Sequence, residues 1–195
     1  HRDLHSFPTR RSSDLLVAGN SGHGKTTLTL ALLRAGWNYV SDDTVMLSTG
    51  AGGVEARSFR RGVGCDAATM EWFPELRRGD QGMEWREGKV LVDAAAVYPG
   101  RHRKRCTPRV LVFTEIADAP ASRLTPLDAT SAFARLVRHS PIAWWSPADA
   151  SRHMNALRAL VAGTTSYRLL AGADVMRDPE AVSRVLAGAS GVDHA

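Results

Sequence analysis

The stretch Gly19-Asn20-Ser21-Gly22-His23-Gly24-Lys25-Thr26 constrains this chain more than any other. It spells G-x-x-x-x-G-K-T, a pattern whose glycines let the backbone turn its N–H groups inward around an anion, while the helix that follows adds the positive end of its dipole. Before it, Leu15-Leu16-Val17-Ala18 reads as a short strand; after it, Thr26 to Ala35 reads as an apolar helix closed by Gly36 in a left-handed cap. A glycine-rich turn that merely happened to precede a lysine would not come with that setting. The predicted cradle runs through the backbone of Gly19, Asn20, Ser21, Gly22, His23 and Gly24. Lys25 has the reach for β- and γ-phosphate oxygens, the Thr26 hydroxyl faces a Mg²⁺ ion, and Thr27 follows it in the first helical turn. His23 is expected to turn its side chain away. Among the 25 basic residues lysine stands only at Lys25, Lys89 and Lys104, which adds weight to one inside a complete phosphate motif.

Beyond the helix, Trp37-Asn38-Tyr39-Val40 reads as a short buried strand that delivers Ser41-Asp42-Asp43 to its end. In an open α/β sheet the C-terminal strand ends are where ligands sit, so both carboxylates are expected beside the loop. Thr44-Val45-Met46-Leu47 and Val54-Glu55-Ala56-Arg57 read as a hairpin turned at Thr49–Gly53. From Ser58 to Gly88 the pattern is mostly loop, with a helix near Ala67 to Phe73. Lys89-Val90-Leu91-Val92, Val110 to Glu115 and Tyr167-Arg168-Leu169-Leu170 read as strands, and Arg101 to Arg105 as a solvated basic loop. Thr125-Pro126, Ser146-Pro147 and Asp178-Pro179 each set a capping residue before a first-turn proline, which predicts helices over 126–138, 147–162 and 179–187. Trp72-Phe73 and Trp144-Trp145 are expected in the core.

Phosphoryl transfer needs a carboxylate on Mg²⁺ and another to take the proton of the attacking hydroxyl. Adjacent aspartates beside a phosphate loop can divide those tasks, so Asp42, Asp43 and Lys25 are the catalytic candidates, with Thr26, Asp42 and Asp43 the candidate metal ligands. Glu115, at the end of its strand, has a Walker B look, but Asp42 and Asp43 already fill that role. Arg60 and Arg61 are further candidates for phosphate contact.

GNSGHGKTTLTLALLRAGWNYVSDDTVML resembles the catalytic domain of bacterial HPr kinase/phosphorylase and its relatives, in which such a loop is followed, one helix later, by an Asp-Asp strand end. The resemblance implies an α/β fold, a P-loop nucleotide-binding core of the HPr kinase and phosphoenolpyruvate carboxykinase type, with a mixed sheet and flanking helices. It further implies ATP and Mg²⁺ at Lys25 and Thr26, and Asp42 and Asp43 serving metal ligation and the general base. The acceptor would be a serine hydroxyl of a protein or peptide. The chain departs from the family with Thr26-Thr27 where HPr kinases carry Ser-Glu, and only Arg61-Gly62-Val63-Gly64 hints at the family's Arg-Gly signature. What is implied is therefore shared kinase machinery rather than HPr as acceptor. The alternative is an ATP-binding regulatory or assembly module without transfer. A GTPase would need Asn-Lys-x-Asp, and no lysine here follows an asparagine.

His1 to Leu15 (HRDLHSFPTRRSSDL) matches, codon by codon on back-translation, a short-read sequencing adapter. The expectation is a non-native segment over 1–15 and a kinase-like domain over 16–195 that enters mid-strand and is truncated at its N-terminus. At 44% apolar residues the chain can bury a core, and no run approaches a membrane span. Two cysteines, Cys65 and Cys106, with no paired spacing, suit a reducing cytoplasm. The net charge of +5 comes with an arginine and alanine bias that reads as a GC-rich genome, so a nucleic-acid partner is not expected. Homo-oligomerisation stays open.

Overall fold

Four apolar residues in a row, Val110-Leu111-Val112-Phe113, leave a strand no polar face to show to water, so both of its faces must be covered. The computed structural model describes residues 15–42, 44–58, 62–79, 88–140 and 147–189. In chain order the elements are β1 (Leu15–Ala18), α1 (Lys25–Arg34), β2 (Val45–Gly50), β3 (Gly53–Ser58), β4 (Gly62–Asp66) and α2 (Ala67–Trp72). A 3-10 turn (Pro74–Arg78) leads to β5 (Lys89–Asp93), α3 (Ala94–Val97), β6 (Arg105–Cys106), β7 (Val110–Ile116), β8 (Arg123–Leu127) and α4 (Ala129–Arg138). The chain continues through α5 (Pro147–Ala162), β9 (Thr165–Ala171), α6 (Asp174–Arg177) and α7 (Pro179–Ala189).

The fold is mixed α/β. Its central sheet has the order β1-β7-β9-β8, with β1, β7 and β9 parallel and β8 antiparallel to β9. Strand alternation sends Val110 and Val112 of β7 into a core shared with α1, α7, β4 and β5. Leu111 and Phe113 enter a second cluster with Ala132 and Leu136 of α4 and Leu157 and Leu160 of α5. β2, β3 and β6 make a separate antiparallel sheet, and β4 pairs with β5.

α1 buries Leu28, Leu30, Ala31, Leu32 and Leu33, so it is covered nearly all round and anchors the loop before it. It ends as the sequence predicts. Gly36 sits at φ 91°, its N–H reaching Leu33 O at 3.0 Å while the Trp37 N–H reaches Leu32 O at 2.9 Å, the paired bonds of a Schellman cap.

Four local expectations are corrected. Trp37–Val40 is not a strand but a single parallel bridge at Tyr39, whose N–H and C=O bond Arg101 O and Arg103 N at 2.9 and 2.7 Å, while the Trp37 indole is pulled into the core by Ser183 Oγ at 2.8 Å. Thr125-Pro126 does not open a helix. Both lie in β8, an edge strand of the sheet where a missing N–H costs no ladder bond, and Asp128 caps α4 through Ser131 N at 2.9 Å. The supposed loop after Ser58 contains β4, paired residue for residue with β5. Trp72 is exposed while Phe73 is buried, because the Arg34 guanidinium covers the Phe73 ring at 4.3 Å and bonds Glu75 and Trp72 O alongside it. Trp144 and Trp145 lie outside the described residues.

Candidate functional site

The loop from Gly19 to Gly24 links the end of β1 to the start of α1. Gly22 and Gly24 both adopt φ 78°, a conformation that strains any residue with a Cβ, and Gly24 opens the helix with its carbonyl accepting from Leu28 N at 2.9 Å. Gly19 is needed for a different reason: a Cβ there would lie 2.9 Å from the Thr114 carbonyl of β7. Asn20 O accepts from the His23 N–H at 3.2 Å and from Lys25 Nζ at 2.9 Å, so the lysine folds back over the loop it belongs to. The N–H groups of the first turn of α1 have no partner inside the helix, which makes this end a natural seat for an anion.

Asp42 reaches the same place from the other direction. It is 6% exposed, and its carboxylate accepts from Thr26 Oγ1 at 3.3 Å and from the Gly64 N–H of β4 at 3.1 Å. Ser41 Oγ donates to Thr44 O at 2.9 Å and Thr44 N to Asp42 O at 2.7 Å, turning the backbone so that Asp42 points inward. The buried charge is felt nearby. Burial first, then Asp42, pushes the Cys65 thiol up to about 12 and the Tyr39 phenol well above its ordinary range, so both neighbours stay neutral. Lys25 and Asp42 line a small cavity of about 130 Å³ together with Leu16, Tyr39 and Thr29.

The structure thus brings together Gly19, Asn20, Lys25, Thr26 and Asp42. Ser21 and Gly22 lie on the exposed outside of the loop, and Thr27, the third residue of α1, is half-buried. His23 does not merely turn away: it lines a larger cavity of about 330 Å³ on the other side of the loop, between Gly19, the end of β7 and α4. Asp43, Arg60 and Arg61 lie outside the described residues. The basic run is absorbed locally: Arg101 bonds Gly36 O, Arg103 bonds Gly100 O at 2.8 Å, and Arg105 pairs with Glu55 at 3.4 Å.

Glu115, set aside in the sequence in favour of Asp42 and Asp43, is tied into a charge cluster, and several residues around it were not singled out from the sequence. Glu115 is held by Arg168 Nη2 at 2.6 Å and Arg135 Nη1 at 2.9 Å, and these two guanidinium groups bring its carboxyl down to about 2. Arg138 and His139 line the larger cavity beside Arg135. Burial, then the charges of Lys25 and His23, lowers the His139 pKa from its ordinary value, which leaves the ring neutral near pH 7. Arg135, Arg138 and His139 recur at helical spacing, a signal that was present in the chain. The Gly64 N–H left none, because any residue but proline carries one.

Among the described residues, no cluster of three or more His, Cys, Asp or Glu side chains could hold a metal by itself, and no helix is long and apolar enough to cross a membrane. No family model matches the chain, and no curated protein matches it. Among solved structures, the Hpr(Ser) kinase/phosphatase from Coxiella burnetii is similar to it, with a TM-score of 0.42 and 12% sequence identity over 89% of this chain and 85% of that one.

Proposed function

We propose that this chain is an ATP-dependent kinase that transfers the γ-phosphate to a serine hydroxyl of a protein or peptide, through a P-loop core of the HPr kinase-related type. The observation that carries the reading is the contact of buried Asp42 with Thr26 at the foot of a complete glycine loop. A hydroxyl and a carboxylate are hard oxygen donors of the kind Mg²⁺ takes alongside phosphate oxygens, and Mg²⁺ seldom needs a full cage of protein ligands. Thr26 and Asp42 would hold that ion. Bound MgATP supplies the phosphoryl group and the metal's neutralisation of its charge.

The chain's own residues do the rest. Lys25 exchanges the neutral Asn20 carbonyl for phosphate oxygens, converting one bond into charge-assisted ones. The glycine loop and the first turn of α1 orient the phosphates through their N–H groups. With Asp42 turned to Thr26, the base falls to Asp43, the other carboxylate of the pair. Asp43 takes the serine proton as the oxygen attacks.

Calorimetry of MgATP with the wild type and Lys25→Ala, followed by γ-phosphate transfer to serine-containing polypeptides encoded beside this chain, tests the reading. Equal affinity of the two proteins refutes the loop as the nucleotide site. Tight binding without transfer to any acceptor favours a binding module instead.

A further inference from the structure

A nucleotide laid along the glycine loop has two ends, and they must leave it in different directions. Thr26 and Asp42 mark the side for the metal and the reacting phosphate. The larger cavity, about 330 Å³, opens on the other side, and Gly19, Asn20 and His23 of the same loop form one of its walls. A ligand held by the loop can therefore run on into it without a break. The volume falls at the lower end of the ~300–1,000 Å³ usual for small-molecule sites.

The opposite wall is one face of α4, where Ala134, Arg135 and Arg138 follow at helical spacing and His139 continues the line. Ala134 stops at its methyl group and leaves a hollow between longer neighbours. Arg135 is held against β7, its guanidinium 5.9 Å from the Phe113 ring centroid and bonded to Glu115 at 2.9 Å. The His139 ring lies 6.3 Å from that of Phe113, tilted by 31°. Burial, then the charges of Lys25 and His23, keep His139 neutral near pH 7, so it offers a flat face without a charge. The Arg138 guanidinium adds a second planar group of the kind that stacks on aromatic rings. Glu115 in the same cavity opposes a free anion but can accept from a sugar hydroxyl or a ring amino group. Flat walls, a small residue at their centre and an acceptor beside them suit a heteroaromatic base with its sugar.

We infer that this cavity holds the nucleoside half of ATP, with the base along α4 between Ala134 and His139 and the ribose nearer Asn20 and His23. The inference rests on the glycine loop as the nucleotide's phosphate site and not on transfer to an acceptor. The γ-phosphate then points away from α4, towards Asp42, and the Asp42 side of the loop stays open for the incoming hydroxyl.

The test is calorimetry of the full chain with two magnesium complexes, ATP and methyl triphosphate, which carries the same phosphates and charge but a methyl group in place of the nucleoside. The wild type is expected to hold ATP about tenfold more tightly, the effect of one stacked base. Ala134→Phe fills the hollow from an exposed helix position and should bring ATP down to the affinity of methyl triphosphate, with methyl triphosphate binding and the melting temperature unchanged. Ala134→Leu, a smaller block and a good helix former, should remove part of the preference and decides the matter if the Phe variant melts early. Equal affinity for the two ligands in the wild type, or a preference that survives both substitutions, overturns the inference while leaving the loop as a phosphate site. Binding of neither ligand refutes the loop and the cavity together.

Discussion

Glu115→Gln probes the charge cluster between β7, α4 and β9 and has a calculable pH signature. In the folded protein Glu115 accepts from Arg168 at 2.6 and 3.2 Å and from Arg135 at 2.9 Å, and its carboxyl falls from 4.5 to about 2. That depression corresponds to a ceiling of about 3 kcal/mol of folding stability. The ceiling is not reached, because the Glu115 side chain is 26% exposed and the two arginines 35% and 38%, so water screens the pairing. About 1–2 kcal/mol is the expected loss at pH 7. A carboxylate with a depressed pKa stabilises fully above its unfolded value and progressively less below it. The gap between wild type and Glu115→Gln should therefore be constant from pH 7 to about 5 and shrink as pH falls from 4.5 towards 2. Urea melts at a series of pH values, compared at equal slopes, provide the measurement. A gap that is absent at pH 7, or undiminished at pH 3, refutes the claim that the arginines hold this carboxylate ionised.

Three further outcomes are expected. Gly19→Ala sets a Cβ 2.9 Å from the Thr114 carbonyl, so the loop must part from β7 at a cost of about 1–3 kcal/mol, seen as a lower melting temperature together with weaker MgATP binding; a melting temperature equal to wild type would show that the loop has slack. Asp42→Asn should weaken Mg²⁺-dependent ATP binding, whereas Asp43→Asn should leave binding nearly intact and slow transfer by about 10²–10⁴; calorimetry and single-turnover transfer separate the two, and unchanged values for both would refute a catalytic or metal-binding role for the pair. Ser183→Ala strands the buried Trp37 indole N–H, now bonded at 2.8 Å, and should destabilise the packing of α7 on the Trp37 segment by about 1–3 kcal/mol in urea melts; a loss below a few tenths would mean that the indole finds another acceptor.

What the chain order alone determined lies within one turn or one strand of its cause. The glycine loop between an apolar strand and an apolar helix, the Gly36 cap, the two-sided burial of Val110 to Phe113, and the Asp178-Pro179 helix start follow from backbone torsions, hydrogen-bond needs and apolar period, all written in neighbouring residues. The pairing of β4 with β5 was hidden because a glycine-rich strand carries little propensity of its own and is defined by its partner. Pro126 was misread for a related reason. Proline suits both a first helical turn and a strand edge, and only the sheet order, with β8 outermost, decides between them.

The site divides along the same line. Lys25 and Thr26 were legible because the loop that aims them is contiguous, and Asp42 because it stands at the next polar break after the helix. That Asp42 turns to Thr26 depends on the Gly64 N–H, and the cavity across the loop depends on α4 folding back over the end of β7. Such contacts join segments far apart in the chain, and they form only when buried apolar faces bring the segments together. Charge and polarity mark a residue as able to act, whereas tertiary packing decides what it faces.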